Sequence, residues 1–185
     1  IEKLGYGTHV VHNNGGNFYS RANAFSQMGF DTFTSKELLD ITDYTPLKTW
    51  PTDDILVGAT KDALDSTKGP DYCYTITVGT HGDYPKQQVI KDPEYTVKLK
   101  GSDEEHKWMW EYYINMLHNT DRFLKEYTDM LSKRNEPTLL ICFGDHLPTM
   151  GLKNSDVKTG DIYQTKYITW NNFGMEKQDQ DLTSY

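Results

Sequence analysis

The sequence predicts an α/β domain built on a central, mostly parallel sheet flanked by helices. Three observations lead there. Strand-like and helix-like segments alternate along the 185 residues. Leu139-Leu-Ile-Cys-Phe143 is a short apolar run closed by Gly144 and Pro148, the pattern of a central strand covered on both faces. Three strand candidates stop in polar clusters, and open α/β sheets place their ligand crevice just past the carboxyl ends of the strands.

Taken in order, Gly7 to His12 reads as a strand that runs into Asn13-Asn-Gly-Gly-Asn17. Phe18, Ala22, Phe25 and Met28 follow helical spacing, and Gly29 is a natural C-terminal stop. Asp31 to Thr34 reads as a brief strand. Thr52 to Leu64 reads as a second helix, with Thr52 and Asp53 near its start and Ile55, Leu56, Ala59 and Ala63 on one face. Tyr72 to Val78 alternates, is rich in β-formers, and breaks at Gly79-Thr-His-Gly82. Val89 to Lys100 is polar, a loop with a short strand. Ser102-Asp-Glu-Glu105 is a capping-box pattern. Behind it Met109, Tyr113, Met116, Leu117, Thr120, Leu124, Tyr127 and Leu131 recur at steps of three and four, a long amphipathic helix whose aromatic stripe is core. Asn135-Glu-Pro137 ends that helix before the apolar run. Tyr163 to Trp170 reads as the last strand, leaving through Trp170-Asn-Asn-Phe173.

The charge balance narrows the partners. Asp and Glu number 27 against 19 Lys and Arg, with no basic cluster, which argues against nucleic acid and against docking to anionic lipid through this segment. Neither a signal peptide nor an 18-residue apolar stretch is present. The chain opens on Ile1 without Met and stops at Tyr185 without an obvious terminal element, so the expectation is a piece excised from a longer protein. Cys73 and Cys142 sit in apolar strand-like runs and are expected to be buried free thiols.

The chemistry concentrates in the strand-end clusters: His12 with Asn13 and Asn14, Thr80-His81 with Tyr84 and Pro85, and Asp145-His146 with Pro148. Arg21 follows nine residues after His12. Asp145 and His146 supply a carboxylate oxygen and an imidazole nitrogen, both of which divalent metals accept. If the strands are parallel and adjacent, the clusters share one rim and form an anion site. There a metal and Arg21 neutralise a phosphate or sulfate, and a His protonates a leaving oxygen. His9, His106 and His118 read as structural.

Gly144-Asp-His-Leu-Pro148 behind an apolar strand resembles the late metal motif of the sulfatase-like branch of the alkaline phosphatase superfamily, most of all the lipoteichoic acid synthases and related phosphoglycerol transferases. His12-Asn-Asn-Gly-Gly-Asn-Phe-Tyr-Ser-Arg21 with Met28-Gly-Phe-Asp31 resembles the segment holding a substrate-binding His and an Arg nine residues later. Trp50, the helix from Asp53 and the strand to Thr80-His-Gly-Asp-Tyr-Pro85 resemble the block whose His binds the substrate head group. Thr165 to Phe173 resembles the strand ending in an Asn-Phe pair, so the likeness runs through nearly the whole chain in order.

The resemblance implies an extracytoplasmic catalytic domain at the cell membrane, behind transmembrane helices. A metal-activated Thr would attack the phosphodiester of a phosphatidylglycerol-type lipid, and an acceptor hydroxyl would take the glycerophosphate from the resulting glycerophospho-Thr. Carried onto this sequence, Asp145 and His146 are ligands of Mn²⁺, with Mg²⁺ as the alternative, and His12, Arg21 and His81 grip the phosphate and glycerol of a glycerophospholipid or glycerophosphate. The early Glu ligand and the nucleophilic Thr belong to blocks N-terminal to this segment. Thr8 and Thr80 each precede a His, but neither sits in the nucleophile's context. Residues 1–185 therefore read as a partial catalytic domain, truncated on its N-terminal side and inactive alone. The rivals are a sulfatase of the same superfamily, whose Cys/Ser-x-Pro-x-Arg motif would also lie upstream, and a non-catalytic domain that binds anions or cell-wall polymer. A two-zinc phosphoethanolamine transferase fits less well, because a second ligand cluster is not evident.

Overall fold

Gly7–His12 forms the middle strand (β1) of a three-stranded sheet in the computed structural model, which describes residues 2–100 and 103–182. Val10 and Val11 point to opposite faces and are both fully buried, so both faces of β1 are covered. β2 (Thr32–Thr34) and β3 (Asp71–Ile76) flank it, each parallel to it, in the order β2-β1-β3. The register sets Val10 beside Phe33 and Tyr74, and His12 beside Ile76. His9 does the structural work expected of it. Its ring meets Thr32 Oγ1 at 2.7 Å and Asp71 Oδ1 at 3.3 Å, so one buried imidazole joins all three strands.

Helices cover the two faces. Phe25 of α1 (Arg21–Gln27) lies edge-on to Phe33 at 5.0 Å and to Tyr74 at 6.4 Å, on the Val10 face. On the other face α2 (Ile55–Asp65) brings Thr60 Oγ1 to 3.0 Å from Thr75 Oγ1. Tyr127 of α3 (Glu104–Ser132) completes that polar knot, its hydroxyl 2.8 Å from Thr75 Oγ1. The parallel sheet flanked by helices is thus the expected α/β architecture.

Several local readings change. α1 begins at Arg21 rather than Phe18, because Tyr19 and Ser20 are left-handed (φ 53° and 55°) and the chain makes a short 3-10 turn first. Its C-terminal stop is as read: Gly29 has φ +87°, and the Phe30 amide donates to Phe25 O at 3.1 Å. The buried stripe of α3 runs through Tyr112, Met116, Phe123, Tyr127 and Met130, while Leu117 is exposed. The predicted cap Ser102 lies outside the described residues. Asp103 serves the start of α3, accepting the His106 amide at 3.1 Å. Residues 89–100 contain no strand. Asn115 instead pairs with both the amide and the carbonyl of Tyr95 (3.1 and 2.8 Å), and Glu111 accepts the Val97 amide at 3.0 Å, so side chains of α3 stand in for a neighbouring strand.

These elements, up to Met130 and with Pro148–Met150, make one compact unit; Leu131–Leu147 and the chain from Gly151 onward make a second. Here the expectation for Leu139–Phe143 fails. That strand (β4) is not a central strand covered on both faces; among the described residues it pairs antiparallel with β5 (Tyr167–Asn171) alone. Strand alternation sends Leu139, Ile141 and Phe143 to one face, where they are 47, 56 and 56% exposed, and Leu140 and Cys142 to the other, where they are half-buried. β5 is shorter than Tyr163 to Trp170, and Tyr163 lies exposed outside it. Both cysteines are free, as expected, but half-buried rather than buried, and burial pushes the Cys73 thiol up to about 11. No helix among the described residues is long and apolar enough to cross a membrane.

Candidate active site

β1 and β3 are parallel neighbours, so the clusters that follow them share one edge of the sheet. His12, the last residue of β1, is 1% exposed, with Nδ1 2.8 Å from Ile76 O. A carbonyl only accepts, so Nδ1 carries the proton and Nε2 of the neutral ring is an acceptor. Burial above all pulls the pKa of His12 down to about 4; the Ile76 bond works against this, and the charge of Arg21 adds to it. His12 Nε2 is buried and has no hydrogen-bond partner among the described residues. The same holds for Oδ1 of Asn13, whose side-chain amide donates to Thr52 O (3.0 Å) and Asp53 Oδ1 (2.9 Å). Two acceptors of this kind call for a ligand that brings hydrogen-bond donors, such as hydroxyl groups.

The loop after β1 is wired to its surroundings. The Gly16 amide donates to both carboxylate oxygens of Glu37 (3.2 and 3.0 Å), and Ser35 Oγ adds a bond of 2.6 Å. These bonds hold the Glu37 carboxyl below its usual range. A Cβ on Gly16 would come 2.8 Å from Ser35 Oγ, so the close approach requires glycine. Beyond the loop Arg21 is half-buried. It donates to Gly15 O at 3.4 Å and lies over the rings of Phe18 (5.2 Å) and Tyr19 (5.7 Å), with no carboxylate paired to it among the described residues. Its positive charge is therefore available to an anion.

After β3, His81 stands exposed on a turn closed by its own amide to Val78 O (2.9 Å). Trp50 supports it twice, with its ring edge-on to the imidazole at 5.1 Å and its Nε1–H donating to Gly82 O at 3.0 Å. Asp53 lies behind both clusters. Oδ1 takes the Val78 amide (2.9 Å) and, with Oδ2, the Gly79 amide (3.2 and 3.1 Å), while burial raises its pKa. The sequence reading placed Asp53 at a helix start and missed this.

Asp145 and His146 belong to the second unit, in the turn after β4. His146 Nδ1 meets Leu147 O at 2.9 Å, so the neutral ring presents Nε2 as the acceptor, 3.7 Å from Asp145 Oδ2. An imidazole anchored through its other nitrogen to a carbonyl is the usual arrangement of a metal ligand. The donor set thus fits a divalent cation as two of its ligands. No group of three or more candidate ligands occurs among the described residues, and a complete site needs more than this pair.

The sequence pattern of the sulfatase family matches residues 1–184, and the chain belongs to that family. Over 147 residues it is 26% identical to a Rhizobium meliloti (strain 1021) protein named for cyclic beta-1,2-glucan modification, a match covering 79% of this chain and 22% of that protein. Among solved structures, the Streptococcus pyogenes phosphoglycerol transferase GacH, in complex with sn-glycerol-1-phosphate, aligns over 95% of this chain and 46% of its own (TM-score 0.74, 20% identity). The lipoteichoic acid synthase LtaP from Listeria monocytogenes aligns over 91% and 44% (TM-score 0.60, 18% identity). An alkaline phosphatase superfamily protein from Vibrio parahaemolyticus aligns over 93% and 40% (TM-score 0.59, 16% identity). The fold is therefore that of the alkaline phosphatase superfamily, and the chain spans less than half the length of each of these proteins.

Proposed function

We propose that this chain supplies the head-group pocket and the late metal ligands of an extracytoplasmic, membrane-held phosphoglycerol transferase that acts on phosphatidylglycerol-type phosphodiesters. The observation that carries the reading is the shared edge of β1 and β3. A neutral acceptor, His12, and the exposed His81 follow adjacent parallel strands, and the charge of Arg21 reaches His12. Arg21 would hold the phosphate by charge. His12 Nε2, an acceptor, would take a glycerol hydroxyl rather than a phosphate oxygen, and His81 would close on the head group from the β3 side. GacH, which shares the fold, was solved with sn-glycerol-1-phosphate, and a glycerophosphate is the ligand these groups suit.

Asp145 and His146 would hold Mn²⁺, or Mg²⁺ in its place, beside ligands from outside this segment. Such a cation lowers the pKa of a hydroxyl nucleophile and neutralises phosphate charge. A Thr nucleophile from outside this segment would complete the reaction, and the 185 residues alone would bind without turnover. The similarity to a protein named for glucan modification makes a glycan hydroxyl the first acceptor to test.

Calorimetric titration of the chain with sn-glycerol-1-phosphate and, separately, with inorganic sulfate tests the reading. Binding of the glycerophosphate that Arg21→Ala weakens at least tenfold is expected. Equal or tighter binding of sulfate would favour the sulfatase, and no binding of either would sink both.

A further inference from the structure

We propose that Asp53 is the positioning residue of this site: one buried carboxylate that sets His12 and His81 relative to each other by gripping the amide of Asn13 and the main chain after β3. The inference rests on the assignment of His12 and His81 as substrate contacts.

Three chain segments meet at this residue, two of them on its side chain. Asn13, next to His12, is fully buried and donates Nδ2 to Oδ1 at 2.9 Å. Val78 and Gly79, at the exit of β3, donate their amides to Oδ1 and Oδ2 at 2.9 to 3.2 Å. Asp53 itself leads into α2, its carbonyl accepting the Leu56 amide at 2.9 Å. No cation pairs with the carboxylate among the described residues, so its charge is met by N–H donors alone.

Those donors lead directly to the proposed contacts. The His81 amide donates to the carbonyl of Val78, whose own amide Asp53 holds, and this closes the turn that presents the imidazole. A Cβ on Gly79 would lie 2.6 Å from Asp53 Oδ2, so the carboxylate occupies the space a side chain would take. Asn13 is held the same way. Both of its Nδ2 partners are acceptors, which fixes the amide orientation and leaves Oδ1 as the unpartnered atom. The cavity beside Asp53, lined also by Thr45, Met116 and Arg122, is about 50 Å³. It has room for water but not for a glycerophosphate. Asp53 therefore acts through its neighbours and does not touch the substrate.

Replacing the carboxylate with an amide keeps the shape and turns an NH₂ toward a main-chain N–H that needs an acceptor. In the isotope-labelled chain without ligand, Asp53→Asn should move the Gly79 amide and the His81 ring resonances, while amides of β2 stay where they are. Affinity for sn-glycerol-1-phosphate should fall at least tenfold. Asn13→Ala separates the two arms: it should move the His12 ring resonances and leave those of His81 in place, and it serves where Asp53→Asn does not fold. Unchanged His81 and Gly79 resonances in folded Asp53→Asn, or unchanged His12 resonances in Asn13→Ala, overturn the proposal. If the unmodified chain does not bind the glycerophosphate, the proposed function falls, and the ring resonances still decide the role of Asp53.

Discussion

His12 and His146 each turn Nδ1 onto a main-chain carbonyl, at 2.8 and 2.9 Å, and each stands at or just past the end of a strand; their surroundings are opposite. His12 is 1% exposed and held among β1, β3 and the loop that Asp53 anchors. The His146 side chain is 52% exposed, and that of its neighbour Asp145 is 82% exposed. The contrast separates two ways of preparing a site. The edge of β1 and β3 is organised in advance, its groups fixed by buried hydrogen bonds that a ligand need not create. The Asp-His turn has its donor atoms side by side but keeps them in solvent, where binding must supply the order.

The largest effect on stability should come from the organised side. Asp53→Ala leaves the Val78 and Gly79 amides without their acceptor and the Asn13 amide with Thr52 O alone. Unpaired buried donors cost about 1–3 kcal/mol each, and release of a desolvated carboxylate offsets part of that, so a loss of about 3 kcal/mol is expected. Hydrogen exchange of β1 and β3 amides reads it directly, and protection equal to the parent chain would break the contrast.

Acidification should come next. Free imidazole protonates at 6.5, but His12 in the fold does so only at about 4. Between those values the unfolded chain binds the extra proton, so stability is fully present above 6.5 and falls as pH drops toward 4, by at most about 3 kcal/mol. Asp53 acts in the opposite sense. Burial raises its pKa, so the folded chain takes that proton first and regains stability as pH falls through the raised value. Urea melts from pH 7 to 4 should show the His12 loss in the parent chain and a flatter curve in His12→Gln. Parallel curves would remove His12 as the cause.

Asn13→Ala should cost less, about 1–2 kcal/mol, since two donated bonds are lost but the Asp53 grip on Val78 and Gly79 survives. Thermal melts in the parent buffer are sufficient to see it, and a neutral result would mean the Asn13 amide is idle. The smallest effect belongs to the exposed turn: Asp145→Ala and His146→Ala should change folding stability by under about 0.5 kcal/mol. In the longer enzyme that the proposed function implies, the same changes should abolish metal-dependent turnover. Undiminished turnover would refute the ligand assignment.

The sequence carried the repeating fold well and the wiring of the site poorly, for physical reasons. Strand β1, the stop at Gly29 and the spacing from His12 to Arg21 depend on local pattern, and all were readable. The role of Asp53 was not, because its acceptor geometry depends on amides 25 and 26 residues further on. The left-handed pair Tyr19-Ser20 was not readable either, since neither residue type favours that conformation. β4 misled most. Its unbroken apolar run is what a doubly covered strand needs, but the run says nothing about whether the covering layers are present, and among the described residues the strand has one neighbour.

The pairing of Asn115 with both main-chain groups of Tyr95, and of Glu111 with the Val97 amide, is indifferent to the side chains it holds. Proline alone lacks the amide that each pairing needs, so other residues at these positions keep these main-chain bonds. The helix thus sets the route of residues 94–97 through their main chain, and the side chains of Glu94 and Tyr95 only add to it, meeting His118 at 3.2 and 5.0 Å.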